Sequence, residues 1–331
     1  MLLAVACAVL AGVRADWLAW FPLASLVLPL LLGSMLLGPR VLPWFVVLVM
    51  ALLVAAVARQ PGLTDTDAAS VAVYFLLGLV VLLLSFRRTR LGVAGWQGED
   101  MFVDLRDRIL RQSGVPALPP GWRAESALAS SGGTLFAGDF VVTSMPRPDR
   151  FEVAVVDVSG NGEEAGTRAL HLSGAFGGLV GALPAEDFLP AANDYLIRQR
   201  WAEGFATAVH LSLDLATGGF AVRTAGHPPA ARRAGADGRW EGLASDGPVL
   251  GLIEGADFEA ATGVLAPGDT LLLYTDGMVE RPRADIDVGI ARLLAQVGDR
   301  LDAEHPDLAP WLVRSLGSRH DDRAVVLVHR D

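Results

Sequence analysis

Hydrophobic and polar positions divide this chain into two unlike regions. The stretches Trp17 to Pro39, Val41 to Ala58 and Ala68 to Phe86 contain no charged residue. Each approaches the ~20 residues with which a helix crosses ~30 Å of hydrocarbon. Met1 to Val13 is also uncharged but short for a span. It lacks a basic leading region and runs into further apolar sequence, which weighs against a signal peptide. If all four segments cross, Arg40 and the flank Arg87, Arg88, Arg90 share one side, and Asp65 and Asp67 lie on the other. The excess of Arg then places both termini in the cytoplasm. Pro22, Pro29 and Pro43 are tolerated in membrane helices better than in soluble ones. Residues 1–90 are thus predicted to be an all-α, multi-pass transmembrane region in the plasma (inner) membrane, its lipid bilayer the first partner.

Residues 91–122 change character. Gly92 to Gly98 is followed by a polar stretch, Asp100 to Gln112, with Phe102, Leu105 and Ile109 at helical spacing, and Ser113-Gly114 and the pair Pro119-Pro120 end it. This reads as a juxtamembrane connector.

From residue 123 on, runs rich in β-branched and apolar residues recur between turn formers. Strands are predicted at Phe151 to Val158, Phe205 to Leu215, Gly219 to Thr224, Thr270 to Thr275 and Ala324 to His329. Helices are predicted at Thr167 to Ala182, whose Ala and Gly content implies close packing, and at Glu186 to Arg200. Successive strands with two helices inserted together predict an α+β domain on antiparallel sheets over 123–331.

Composition narrows the chemistry. Residues 1–90 hold six Arg against three Asp, a net +3, which leaves −13 of the total −10 for the rest. Such an acidic soluble part argues against nucleic acid as a partner. The 27 basic residues are all Arg, so Schiff-base chemistry and the phosphate-binding lysine of P-loop enzymes and kinases are excluded. The one cysteine, Cys7, lies in an apolar run, which excludes a disulfide framework and a thiolate nucleophile in the soluble part. No ionisable residue sits inside the predicted spans, so anchoring or sensing fits them better than transport.

Three aspartates stand at strand ends: Asp157 in Val-Val-Asp-Val-Ser-Gly-Asn-Gly, Asp276 in Leu-Tyr-Thr-Asp-Gly, and Asp321 in His-Asp-Asp-Arg. A fourth, Asp139, lies in Ala-Gly-Asp-Phe. Carboxylates on rigid strand ends beside glycine turns suit hard divalent cations. Each Asp-Gly turn alone is weak evidence, since such turns abound in hairpins.

Their order carries more. Gly138-Asp139-Phe140, Asp157 to Gly162, Phe205-Ala-Thr, Ala225-Gly-His-Pro-Pro229, Gly247 to Gly251, Gly268 to Glu280 and Asp321-Asp322 together resemble the SpoIIE-type branch of the PPM/PP2C phosphatases. The resemblance covers residues 123–331. It implies an αββα sandwich, two Mn²⁺ or Mg²⁺ ions at one edge, and hydrolysis of phosphoserine or phosphothreonine in a protein. It implies that Asp157, Asp276 and Asp321 are essential, and that Asp139, Asp157, the Val158 carbonyl, Asp276 and Asp321 hold metal; Asp322, at a place the wider family often fills with Asn, is disfavoured as a ligand beside Asp321. It also implies bacterial partner switching, with a phosphorylated anti-sigma-factor antagonist as substrate. Self-association into a homodimer is an option the sequence leaves open.

There are departures from the family pattern. The His that many PP2C enzymes carry after the Asp-Gly of the second block is absent from Val158-Ser159-Gly160. The first block ends in Val142 where relatives place a second Asp. Loss of that carboxylate predicts weaker ion binding, unless Val142 faces the core. It is also the argument for a rival reading, a catalytically weak scaffold that binds phosphoproteins. His227 reads as a turn-shaping residue more readily than as an acid. His320 is a candidate neighbour of Asp321, and Arg168 or Arg223 could grip phosphate.

Overall fold

A computed structural model describes residues 27–37, 41–58, 65–89, 114–130, 138–160, 162–201, 204–280, 284–303, 307–318 and 321–331. The chain divides into two compact units, Met1–Val103 and Asp104–Asp331. The predicted connector helix at Asp100 to Gln112 and the segment Met1 to Val13 lie outside the described residues.

The first unit contains helices α1 (Val27–Leu36), α2 (Leu42–Ala58) and α3 (Asp65–Thr89). They share a small apolar core of Leu30, Leu42, Phe45, Val46, Val49 and Val81. Their other faces are just as apolar, with Trp44 77% and Leu76 62% exposed. Among the described residues no helix is long and apolar enough to cross a membrane; α2, the most uniformly apolar, has 17 residues.

The second unit is a sandwich of two antiparallel five-stranded sheets. In chain order the strands are β1 (Trp122–Ala129), β2 (Phe140–Arg147), β3 (Arg150–Val158), β4 (Ala206–Asp214), β5 (Gly219–Ala225), β6 (Ala230–Arg233), β7 (Trp240–Leu243), β8 (Ala260–Val264), β9 (Thr270–Tyr274) and β10 (Arg323–Arg330). One sheet runs β1-β10-β9-β6-β7 and the other β2-β3-β4-β5-β8. Alternation along β3 explains the layering. Phe151, Val153 and Val155 point between the sheets and meet Leu271, Leu273, Val326 and Val328. Ala154, Val156 and Val158 point outward, where α4 (Gly162–Leu179) and α5 (Phe188–Gln199) cover them with Leu172, Phe176, Phe188 and Leu189. On the other sheet α6 (Ile286–Asp302) and α7 (Leu308–Ser315) pack Leu293, Val297, Leu312 and Val313 over Tyr274, Val325 and Leu327.

The result is the expected αββα sandwich. The strands predicted from apolar runs are β3, β4, β5, β9 and β10, each within two residues of its expected bounds. The first inserted helix begins five residues earlier than predicted and ends at Leu179, ahead of Gly181, whose φ of +74° suits a residue without Cβ.

Candidate active site

Register brings four segments to one end of the sandwich. Phe140 pairs with Val156, so continuing the ladder places Asp139 opposite Asp157. On the other sheet Val325 pairs with Tyr274, and the ladder ends as Thr275 N donates to Ala324 O and Ala324 N donates to Thr275 Oγ1, at 3.1 and 2.9 Å. Asp276 and Asp322 therefore leave the two strands side by side. A one-turn 3₁₀ helix, Asp276–Met278, follows, and Glu280 N donates back to Asp276 O at 2.7 Å. That turn carries Glu280 into the electrostatic neighbourhood of Asp157 and Asp276.

Two glycines let these segments approach. A Cβ on Gly277 would collide with the carbonyl of Asp322. A Cβ on Gly138 would stand 3.3 Å from both Val158 O and Asp322 Oδ2, so Gly138 keeps open a cradle between a carbonyl and a carboxylate. Gly138 N donates to Asp322 Oδ2, and Asp322 N donates to Asp321 Oδ1 at 2.9 Å.

The electrostatics are those of crowded acids. Burial, then the charge of Asp157, pushes the Asp139 carboxyl well above the usual carboxylate range, against a hydrogen bond from Thr275; Asp322 and Asp276 push it further. Burial raises Asp157 to about 6, with Asp321, Asp322 and Glu280 adding to the rise and a hydrogen bond with Asp139 opposing it. Asp276 rises to about 7, through burial first and then the charges of Asp157, Asp321 and Glu280. Asp139 is 3% exposed, and its Oδ2 has no hydrogen-bond partner. A buried acid oxygen left unpaired is costly unless a cation or donor meets it. That orphaned oxygen and the Gly138 cradle fit an oxygen-liganded divalent ion. Among the described residues no group of three or more His, Cys, Asp or Glu side chains is already arranged as a metal cage.

The structure thus brings together Asp139, Asp157, Val158, Asp276 and Asp321, and adds Glu280 and Asp322. Spacing could have flagged Glu280, which ends the Asp-Gly-Met-Val-Glu run that the turn folds back. Val142 does not join them: it is 1% exposed, beneath α4 with Phe140, Ala154, Leu172 and Phe176. The expectation of a carboxylate missing from the metal edge is therefore replaced by a core position, because β2 alternation turns Val142 to the helix-covered face.

His227 is a structural residue. Its Nε2 lies 2.9 Å from the carbonyl of Tyr274, an acceptor only, so Nε2 carries the proton and Nδ1 accepts from Thr207 Oγ1 at 2.7 Å. Burial lowers its pKa to about 4. It ties β4 to β9, and its one ring proton is committed to the Tyr274 carbonyl. Arg168 stands near the site, with Nη1 3.5 Å from Ser159 O and its guanidinium over the Trp201 ring at 5.5 Å. Arg223 is paired in register with His210 under the helices, away from the acidic end. His320 lies outside the described residues.

An antiparallel αββα sandwich with acidic side chains from both sheets at one end defines the PP2C-like class of phosphatase folds. Residues 147–331 match the family model described as Stage II sporulation protein E (SpoIIE), and the chain belongs to that family. The RsbU and RsbW domains of Rv1364c from Mycobacterium tuberculosis are similar at 28% identity and a TM-score of 0.56, over 66% of this chain and 62% of that one. The PP2C phosphatase domain of SpoIIE from Bacillus subtilis, with a fragment of its regulatory domain, shares the fold at 21% identity and a TM-score of 0.51, over 63% and 64% of the chains. RsbX in complex with magnesium does so at 17% identity and 0.51, over 65% and 98%. The chain thus spans less than two thirds of the first two of these proteins.

Proposed function

We propose that this chain is a membrane-anchored, metal-dependent protein serine/threonine phosphatase, acting on a phosphorylated partner in bacterial partner switching. The observation that carries this reading is Asp139 Oδ2, buried and unpartnered among converging carboxylates beside the Gly138 cradle. Asp139, Asp157, the Val158 carbonyl, Asp276 and Asp321 would hold Mn²⁺ or Mg²⁺. Bound there, a pair of such ions supplies a water of lowered pKa and charge to offset the phosphoryl oxygens. The rest falls to this chain's residues. Asp139 and Asp157 on one sheet, and Asp276 and Asp321 on the other, set the ligand positions; Asp322 fixes the Gly138 backbone. With His227 locked neutral and Cys7 remote in sequence, no side-chain nucleophile or histidine acid is required.

Membership of the SpoIIE family and the likeness to an RsbU domain support a phosphorylated anti-sigma-factor antagonist as substrate. RsbX, in complex with magnesium, shares the fold and supports the choice of ion. The uncharged stretches of residues 1–90 and the outward apolar faces of α2 and α3 support anchoring in a bilayer. With Val142 in the core, the scaffold reading no longer draws on a carboxylate missing from the metal edge. The test is Mn²⁺-dependent hydrolysis of a small aryl phosphate by the full-length chain. Asp157→Asn, Asp276→Asn and Asp321→Asn should each abolish it while leaving the fold intact. Near wild-type turnover in any of them at saturating Mn²⁺ would break the assignment.

A further inference from the structure

The acidic edge has an apolar flank that the hydrolytic groups do not use. Phe205, Leu252 and Ile253 are large hydrophobic residues, yet they are 40%, 61% and 53% exposed. Phe205 is clasped to the site: Ser159 N donates to Phe205 O and Phe205 N donates to Ser159 Oγ, both at 3.0 Å. It therefore lies beside the turn that directly follows Asp157 and Val158. Ala206 and Leu250 then form an antiparallel bridge, with hydrogen bonds of 3.1 and 2.8 Å, which draws the turn carrying Leu252 and Ile253 alongside.

That turn is held firmly. Gly251 adopts a φ of +95°. Asn193, 1% exposed on α5, accepts from Gly251 N at 2.9 Å and donates to Ile253 O at 2.8 Å. A buried amide that commits both its groups to one surface turn fixes the turn while its two apolar side chains face water. Exposed apolar side chains on a rigid support mark interaction sites.

We propose that Phe205, Leu252 and Ile253 form a docking surface for apolar side chains flanking the phosphorylated residue of a protein substrate. The inference rests on the phosphatase reading above. The occupant follows from continuity with the reaction edge: a phosphorylated side chain delivered to Asp157 and Val158 lays its flanking backbone over Ser159, and so over Phe205. The three side chains offer only apolar contact, so they select apolar neighbours.

The experiment uses the full-length chain with Mn²⁺ and three substrates. Two are labelled phosphoserine peptides of equal length and charge, one flanked by Leu and Phe and the other by Ser and Gly; the third is a small aryl phosphate. The wild type is expected to favour the apolar peptide by roughly tenfold or more in kcat/KM, the scale of burying one aliphatic side chain. Leu252→Ser/Ile253→Ser should lose that preference, mainly through KM, with aryl phosphate kinetics unchanged. A variant that keeps the preference, or a wild type without one, overturns the proposal. So does a change in oligomeric state with unaltered preference, which would assign the surface to self-association. Should no substrate release phosphate, the phosphatase reading fails, and peptide binding by fluorescence anisotropy on the same two proteins still decides the docking surface.

Discussion

Replacing Val142 by Asp supplies the second acid that the family resemblance leads one to expect in the first block, yet it should unfold the domain rather than strengthen metal binding. Val142 sits on β2 opposite Ala154, 1% exposed, with Phe140, Leu172 and Phe176 around it. Removing its burial forfeits about 1.5 kcal/mol. A carboxyl group there meets no donor among these apolar neighbours, which costs about 1–3 kcal/mol even when neutral. Staying neutral at pH 7 from an ordinary value near 3.9 adds about 4 kcal/mol, at 1.36 kcal/mol per unit. The sum, about 7 kcal/mol, is a large share of the ~5–15 kcal/mol of a typical domain. At about 2–4 °C per kcal/mol the melting temperature should fall by well over 10 °C. Val142→Thr, in which a hydroxyl replaces one methyl and no charge has to be neutralised, should fall by less than half of that. Thermal melts of the full-length proteins, with Mn²⁺ titrations of activity, test the reasoning. A Val142→Asp protein that melts within a few degrees of wild type and reaches half-activation at lower Mn²⁺ would refute it.

Asp322→Asn should weaken activity less than Asp321→Asn, because an amide oxygen still accepts from Gly138 N; equal, complete loss in both, read from aryl phosphate turnover, would make Asp322 a required charge. Gly277→Ala should abolish activity, since the added methyl collides with the Asp322 carbonyl and displaces Asp276 from its neighbours; unchanged turnover would show that this approach is not needed. His227 has a folded pKa of about 4, below the ordinary 6.5, so its contribution is present above pH 6.5 and is lost as pH falls towards 4. Wild type should lose about 2 kcal/mol more stability than His227→Gln between pH 7 and pH 5, measured by urea unfolding; parallel curves would contradict the neutral, doubly hydrogen-bonded ring. The full chain should resist carbonate extraction with its C-terminus cytoplasmic, and a C-terminal reporter active only outside the cytoplasm would reverse the proposed topology.

Central strands were the legible part of the fold, because burial on both faces writes an apolar run, as in Val153 to Val156 of β3. β7 and β8 lie at sheet edges and β6 is short; Trp240–Leu243 and Ala260–Val264 alternate weakly and show half-exposed side chains, so periodicity does not announce them. α6 and α7 are absent from the elements predicted above, although Ile290, Leu294, Val297 and Leu301 recur at helical spacing and Asp285 caps the start by accepting from Asp287 N. The candidate acids were readable as a set because they fall in ordered blocks, which strand register then brings to one end of the sandwich. The direction of Val142 was not, since block spacing says nothing about which face of β2 a residue takes. Nor was the neutrality of His227, which depends on Thr207 and the Tyr274 carbonyl, 20 and 47 residues away in sequence.

The acidic end is assembled across the sandwich rather than within one element. Asp139 and Asp157 come from one sheet, and Asp276, Asp321 and Asp322 from the other; the crowded charges help to raise the pKa values of Asp139, Asp157 and Asp276 while the layer of Val153, Val155, Leu271, Leu273 and Val326 keeps the sheets together. Mutual repulsion at this end opposes closure of the sandwich, and the apolar layer behind it must exceed that opposition. A cation shared between the sheets would reverse the sign of the local term, so ion binding and sheet closure are thermodynamically linked. On this argument substitutions in the inter-sheet layer, far from any carboxylate, weaken ion affinity as well as stability, whereas substitutions of Leu293, Val297, Leu312 and Val313 on α6 and α7 act chiefly on stability.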